Sequence, residues 1–216
     1  CEKARRKNGK LLGKKIFKSI HNGFGGSLRV LCSAGAPIKK EVADFYYAAG
    51  FNIMITYGAS ETNIPTIGNT PEDITTDTCG VPYPAISLKI SDEGEMLIKS
   101  PYMMVGYFRD EEATKEAFDK DGWFRTGDIG SIDEKGHVHV TGRLKENIVL
   151  ATGKKIAPDD IEEKYSDLPG VKELVICGVP VNNADYDEVQ AFVVPERLSA
   201  ESLEKIRREI TERGAT

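Results

Sequence analysis

Two short loops hold the residues best suited to chemistry. Tyr57-Gly58-Ala59-Ser60-Glu61 sets a hydroxyl and a carboxylate side by side, behind an aromatic ring and a glycine. Ser33-Ala34-Gly35-Ala36-Pro37 offers main chain with almost nothing over it. Small residues let a flat ligand lie against the backbone, and Ser60 and Glu61 then supply a donor and a charge for polar groups on that ligand. Other reactive types are less telling. Asp128, after Gly127, reads by itself as a turn residue. His137 and His139 share a strand face and could bind a metal, but no third ligand lies in sequence reach, so an exposed pair is expected. Cys1, Cys32, Cys79 and Cys177 form no C-x-x-C pair and are expected to be small buried hydrophobes in a reducing cytoplasm.

The elements that carry these loops follow from periodicity. Residues 28–33 read as a short buried strand, and 34–37 break it. From 38 to 49 the apolar positions Ile38, Val42, Phe45, Tyr46 and Ala49 fall on one helical face, opened by Pro37 and closed by Gly50. Residues 51–56 return as a second buried strand. Strand, helix and strand joined by short links make a right-handed crossover, so the two strands run parallel. Ligands bind beyond the carboxyl ends of such strands, where the two small-residue loops sit together.

Further on, 62–78 lacks periodicity and is expected to be irregular. Residues 86–90 and 95–99 alternate around Ser91-Asp92-Glu93-Gly94 as a hairpin. Strands are expected at 122–125, 130–133 and 137–141, and the acidic run Asp110, Glu111 and Glu112 starts a helix over 111–118. Trp123 and Phe124 belong to the core of a small distorted β-barrel. Beyond Arg143 the texture changes to short segments at 147–150 and 154–157 around a turn at Gly153, then a helix from Pro158 to Pro169-Gly170, strands at 171–179 and 188–194, and a helix at 200–213. The fold class is therefore α/β followed by α+β. Residues 1–70 end a parallel-sheet α/β subdomain, 71–143 form the barrel, and 146–216 form a compact α+β domain after a boundary at 144–146.

The 216 residues are 40% hydrophobic and 29% charged, with no apolar run long enough to span a bilayer. A net charge of -5 conceals a basic start, where eight Lys or Arg (Lys3, Arg5, Arg6, Lys7, Lys10, Lys14, Lys15 and Lys18) face one acid, Glu2. No aromatic residues interleave them, so a solvated face is expected and not a nucleic-acid site. Contact with an anionic membrane surface stays open. The chain begins at Cys1 without an initiator Met or an apolar signal region, which reads as a boundary within a longer protein.

Taken together, Tyr57-Gly58-Ala59-Ser60-Glu61, Gly122-Trp123-Phe124-Arg125-Thr126-Gly127-Asp128 and Gly142-Arg143-Leu144-Lys145-Glu146-Asn147-Ile148 resemble the adenylate-forming superfamily in content, order and spacing. Gly94-Glu95-Met96-Leu97-Ile98-Lys99, Gly106-Tyr107-Phe108, Gly153 and Ile156-Ala157-Pro158 extend the likeness over nearly the whole chain. The resemblance implies activation of a carboxylic acid by ATP and Mg²⁺ as an acyl-adenylate, followed by transfer to a thiol such as CoA. It implies that Tyr57 and Gly58 face the adenine, with the Gly35-Ala36-Pro37 backbone on its other side. Ser60, in place of the more frequent Thr, meets the α-phosphate, and Glu61 holds Mg²⁺. Asp128 accepts from the ribose hydroxyls, and Arg143 approaches the same sugar. Lys145 is the pivot of a mobile lid domain, and Gly153 lines the path of CoA.

Within the superfamily, Lys145-Glu146-Asn147-Ile148-Val149, Gly153-Lys154-Lys155-Ile156-Ala157-Pro158 and Gly25-Gly26-Ser27-Leu28-Arg29 look like long-chain fatty acyl-CoA synthetases, which implies a fatty acid as substrate. Two family features are missing from these residues: a Thr/Ser/Gly-rich phosphate loop ending in Pro-Lys, and the lysine that completes adenylation. Lys205 lacks the flanking context of that lysine. The expectation is a carboxy-terminal portion, with an incomplete lid, that needs the N-terminal part of its own chain and does not adenylate acids alone. An adenylation module that loads a carrier protein and a non-catalytic nucleotide-binding scaffold stay open as alternatives.

Overall fold

The computed structural model describes residues 10–182 and 184–214. Cys1 and the basic residues Lys3, Arg5, Arg6 and Lys7 lie outside the described residues. Two compact units meet between Val140 and Thr141.

In the first unit, helices α1 (Lys10–Ile16) and α2 (Lys18–Gly23) lead into strand β1 (Val30–Ser33). His21 anchors this entry: it is buried, its Nε2 donates to the carbonyl of Ala49 at 2.9 Å, and its ring stacks on Phe51. Helix α3 (Lys40–Ala48) crosses to strand β2 (Asn52–Tyr57), which pairs in parallel with β1 from Val30 opposite Asn52 to Ser33 opposite Ile55. Ala43, Ile53 and Ile55 form the core beneath, joined by Ile38, Tyr46, Tyr47 and Ile74. Pro37 does not open α3 as its position suggested. Lys39 is still extended, so the first turn begins at Lys40.

The sheet is mixed, because 62–78 is not wholly irregular. Strand β3 (Ile67–Gly68) pairs antiparallel with β2, and β4 (Val81–Pro82) pairs antiparallel with β3. Cys32 is exposed, against expectation: burial alternates along β1, and among the described residues β1 pairs with β2 alone.

A second sheet, β5 (Ser87–Ile90), β6 (Glu95–Lys99), β7 (Phe124–Ile132) and β8 (Val138–Arg143), runs in that order and curls into half a barrel. Ile67, Met96 and Val138 form its buried centre. Helix α4 (Glu111–Ala117) interrupts it, capped by the Asp110 carboxylate accepting from Ala113 N at 2.9 Å. Strand β7 runs unbroken where two strands were expected, since Gly127 bends the strand without ending it. Trp123 is half-buried, with Lys89 Nζ 4.4 Å above its ring, while Phe124 is in the core.

His137 corrects a second expectation. It is 6% exposed, with Nε2 2.8 Å from Asp73 Oδ2 and Nδ1 3.2 Å from Asp133 Oδ2. The turn at 133–136 folds Asp133 back over the ring, and the loop after β3 brings Asp73 from the other side. An acceptor on each ring nitrogen requires both to carry a proton. Asp73 first, then Asp133, accordingly raise the histidine above its usual value of 6.5. A group raised on folding stabilises fully below its unfolded pKa, and that contribution fades as pH rises through the folded value. Replacing His137 with Gln should therefore cost about 1.5 kcal/mol near pH 6, the low end for a charged pair because Asp73 is largely exposed. The cost should shrink above neutrality. Denaturant melts across that range test this, and a pH-independent gap would mean the ring is neutral.

The second unit begins with the short antiparallel pair β9 (Ile148–Val149) and β10 (Lys155–Ile156). Helix α5 (Pro158–Tyr165), with Pro158 in its first turn, packs on the hairpin of β11 (Val171–Pro180) and β12 (Asp187–Pro195). Helix α6 (Ala200–Gly214) closes the unit, and its Arg213 reaches Asp167 at 2.5 Å and the carbonyl of Lys164 at 3.1 Å. Among the described residues, no helix is long and apolar enough to cross a membrane.

Candidate active site

Parallel pairing of β1 and β2 places the carboxyl ends of both strands at one edge of the sheet. Gly35, Ala36 and Pro37 follow β1 and are exposed. Tyr57 ends β2, half-buried, and Gly58 follows it. A side chain at Gly58 would bring a Cβ within 2.9 Å of Pro65 Cα, so the loop can fold back only over glycine. Ser60–Thr62 then make a single 3₁₀ turn. Thr62 is fully buried, and its Oγ1 accepts from Ala59 N at 3.1 Å and donates to the carbonyls of Ala59 and Ile64. With the turn pinned from below, Ser60 is exposed and Glu61 half-exposed above it.

Asp128 arrives from the second sheet by a bulge. Glu95 pairs with Ile129 and Leu97 with Arg125, so two steps along β6 face four along β7. Extra residues re-aim a side chain out of the regular alternation. Gly127 allows it with φ +72, and its N–H donates to the buried Glu95 carboxylate at 3.0 Å. Thr126 Oγ1 donates to the carbonyl of Met96 at 2.7 Å and accepts from Asp128 N at 3.0 Å. The product is a carboxylate held against the end of β2, where Tyr57 O–H donates to Asp128 Oδ2 at 2.5 Å.

Glu61 is engaged similarly: Tyr107 O–H donates to its Oε1 at 2.8 Å. The fold thus pairs Tyr57 with Asp128 and Tyr107 with Glu61, and the members of both pairs lie in the first unit. Thr62, Glu95, Thr126 and Tyr107 were missed as supporting residues by sequence reasoning. The signals available were the motif strings in which Glu95, Thr126 and Tyr107 stand, while Thr62 stands in none.

Arg143, Lys145 and Gly153 belong to the second unit. Arg143 ends β8 with its side chain 60% exposed, 4.0 Å from Glu146 Oε1. Lys145 is exposed on the next turn, and Gly153 sits at an exposed turn closed by its N–H donating to the carbonyl of Leu150 at 2.7 Å.

Among the described residues no three His, Cys, Asp or Glu side chains gather as a protein cage for a metal. A lone carboxylate such as Glu61 suits Mg²⁺ in one setting, since that ion keeps waters and takes one or two carboxylates together with substrate phosphates. The acceptor-only Asp128 carboxylate suits vicinal hydroxyls. Both groups fit a magnesium-bound nucleotide.

Comparison with known proteins bears on the same residues. Residues 6–108 match the family model described as AMP-binding enzyme. A long-chain-fatty-acid–CoA ligase of Mycobacterium bovis, FadD15, is 40% identical over 163 residues, which are 76% of this chain and 27% of the relative. The chain thus spans about a quarter of the length of such curated relatives. Among solved structures, the ATP-bound RpMatB-BxBclM chimera B1 aligns with TM-score 0.69 and 32% identity over 87% of this chain and 40% of that one. O-succinylbenzoate coenzyme A synthetase (MenE) from Bacillus subtilis, in complex with ATP and magnesium ion, aligns with TM-score 0.67 and 25% identity over 84% and 40%.

Proposed function

This chain belongs to the AMP-binding enzyme family, and from that premise we propose that it supplies part of a site that activates a carboxylate with ATP and passes the acyl group to CoA. The observation that carries the reading is the Tyr57–Asp128 pair, with Ser60 and Glu61 on the turn that follows. Attack of a carboxylate on a phosphate asks the protein for alignment and charge stabilisation rather than covalent help. Asp128 serves as acceptor for the ribose hydroxyls, and the Tyr57 ring with Gly58 and the exposed Gly35-Ala36-Pro37 backbone serves the base. Ser60 meets the α-phosphate. Glu61 would hold Mg²⁺, which when bound neutralises phosphate charge. For Arg143, Lys145 and Gly153, family likeness alone supports roles at the sugar, at the pivot and along the CoA path.

The FadD15 relative's name supports a long-chain fatty acid as the substrate. Free thiols at Cys32, Cys79 and Cys177 fit a reducing cytoplasm.

Binding is the readout suited to these 216 residues, since none of them forms a Thr/Ser/Gly-rich loop ending in Pro-Lys. Glu61→Gln should weaken Mg²⁺-ATP binding roughly tenfold, as loss of a metal-facing carboxylate does. Metal-free AMP should bind the variant as it binds the parent chain. Calorimetry with both nucleotides decides, and an equal loss for both, or none, removes Glu61 from the metal.

A further inference from the structure

The stretch between β6 and α4 reaches back to the Ser60–Thr62 turn at three points. Asn63 Nδ2 donates to the carbonyl of Tyr102 at 2.7 Å, Met104 N to the carbonyl of Glu61 at 2.8 Å, and Tyr107 O–H to Glu61 Oε1 at 2.8 Å. Two of these bonds fix main chain, while the third fixes the side chain that faces the site.

Tyr107 is itself held. Its N–H donates to Thr114 Oγ1 at 2.9 Å, and that hydroxyl donates to the carbonyl of Asp110 at 2.7 Å, which ties the tyrosine to the first turn of α4. Gly106 makes the approach feasible, since a Cβ there would stand 2.8 Å from Thr114 Cγ2. Core packing does not account for this arrangement, because Tyr107 is 40% exposed.

From this strap the geometry points to Tyr107 as a positioning residue for Glu61, its hydroxyl occupying one carboxylate oxygen and turning the other toward a divalent cation. The cation half rests on the function proposed above. The choice of donor matters. Lysine or arginine at this place would hold the carboxylate but cancel the charge the cation needs, whereas a neutral phenol orients it and leaves the charge intact. A long glutamate side chain also has several rotamers to lose on metal binding, and a pre-set bond removes part of that cost.

The pair has a signature of its own. Its bond to Glu61 raises the Tyr107 phenol above the ordinary tyrosine value, since ionisation would set two negative oxygens together. Near-ultraviolet titration of the whole chain should show one phenol ionising late that is missing in Tyr107→Phe and that ionises earlier in Glu61→Gln. Manganese uptake in the presence of ATP, followed by electron paramagnetic resonance, should be roughly tenfold weaker in Tyr107→Phe, while binding of metal-free AMP stays at the parent level. Circular dichroism checks that the variant folds, and Glu61→Gln tests the pair on its own if it does not.

Phenols that titrate identically in Glu61→Gln and the parent overturn the positioning role, as does parent-like manganese uptake by folded Tyr107→Phe. A parent chain that takes up no manganese with ATP overturns the cation half together with the function proposed for Glu61. The tyrosine titration then still decides the pair.

Discussion

Asp128→Ala should weaken AMP binding by about 2 to 4 kcal/mol, roughly thirtyfold to a thousandfold, the loss expected when charged hydrogen bonds disappear. The substitution is informative because the bonds that shape the bulge do not use the Asp128 side chain. The bulge that aims Asp128 is built from Gly127 N to Glu95, Thr126 Oγ1 to Met96 and Asp128 N to Thr126, all of which survive truncation at Cβ. Two companions separate recognition from support. Asp128→Asn keeps the shape but offers one oxygen in place of two and no charge, so it should fall between parent and alanine. Tyr57→Phe keeps the ring and removes the hydroxyl that donates to Asp128. It should cost a fewfold at most, because the lost bond orients the carboxylate without touching the sugar. Calorimetry with AMP on all four proteins gives the order, and an alanine variant within threefold of the parent would take Asp128 out of the ribose site.

How much of this was legible differs residue by residue. The strand–helix–strand opening could be read because Ile38, Tyr46, Ile53 and Ile55 carry the burial periodicity themselves, and local pattern decides such elements. Strand β7 was misread because Gly127 and Gly130 look like breakers, and whether a glycine ends a strand or bulges it depends on the partner strand. His137 looked exposed because its carboxylate Asp73 lies 64 residues away and arrives only when the loop after β3 closes. The candidate site divides in the same way. Ser60, Glu61 and Asp128 stand in strings that sequence reasoning could pick out, but Tyr107, 46 residues from Glu61, could not be tied to it without the fold. Contacts made across long separations carry no periodicity.

Gly80→Ala should be the most damaging small change to the first unit, costing about 4 kcal/mol or more, in the range reserved for backbone conflicts. Gly80 has φ +84, and a Cβ built on it lies 2.2 Å from the carbonyl carbon and oxygen of Gly68 and 2.4 Å from Asn69 N. Side chains can swing away from such contacts, but this obstacle is main chain belonging to the β3–β4 pair. Neither partner can withdraw freely. Gly80 accepts from Val138 N at 2.8 Å and donates to Thr78 Oγ1 at 3.0 Å, while Cys79 N donates to the carbonyl of Val138 at 2.8 Å, so the segment joins the two sheets. Moving it would also disturb β3, whose Ile67 pairs with Tyr57 at the edge of the candidate site. Gly127→Ala is the contrast that isolates the steric part, because Gly127 shares a positive φ of 72 but has open space where a Cβ would stand. It should lose only about 1 to 2 kcal/mol, the cost of an L-residue in the left-handed region. For a chain of this size the gap corresponds to a melting temperature lower by about 5 to 10 °C for Gly80→Ala than for Gly127→Ala. Equal melting of the two variants would show that β3 and β4 can part without disturbing the sheet, and that the strand carrying Tyr57 is held by something other than this pairing.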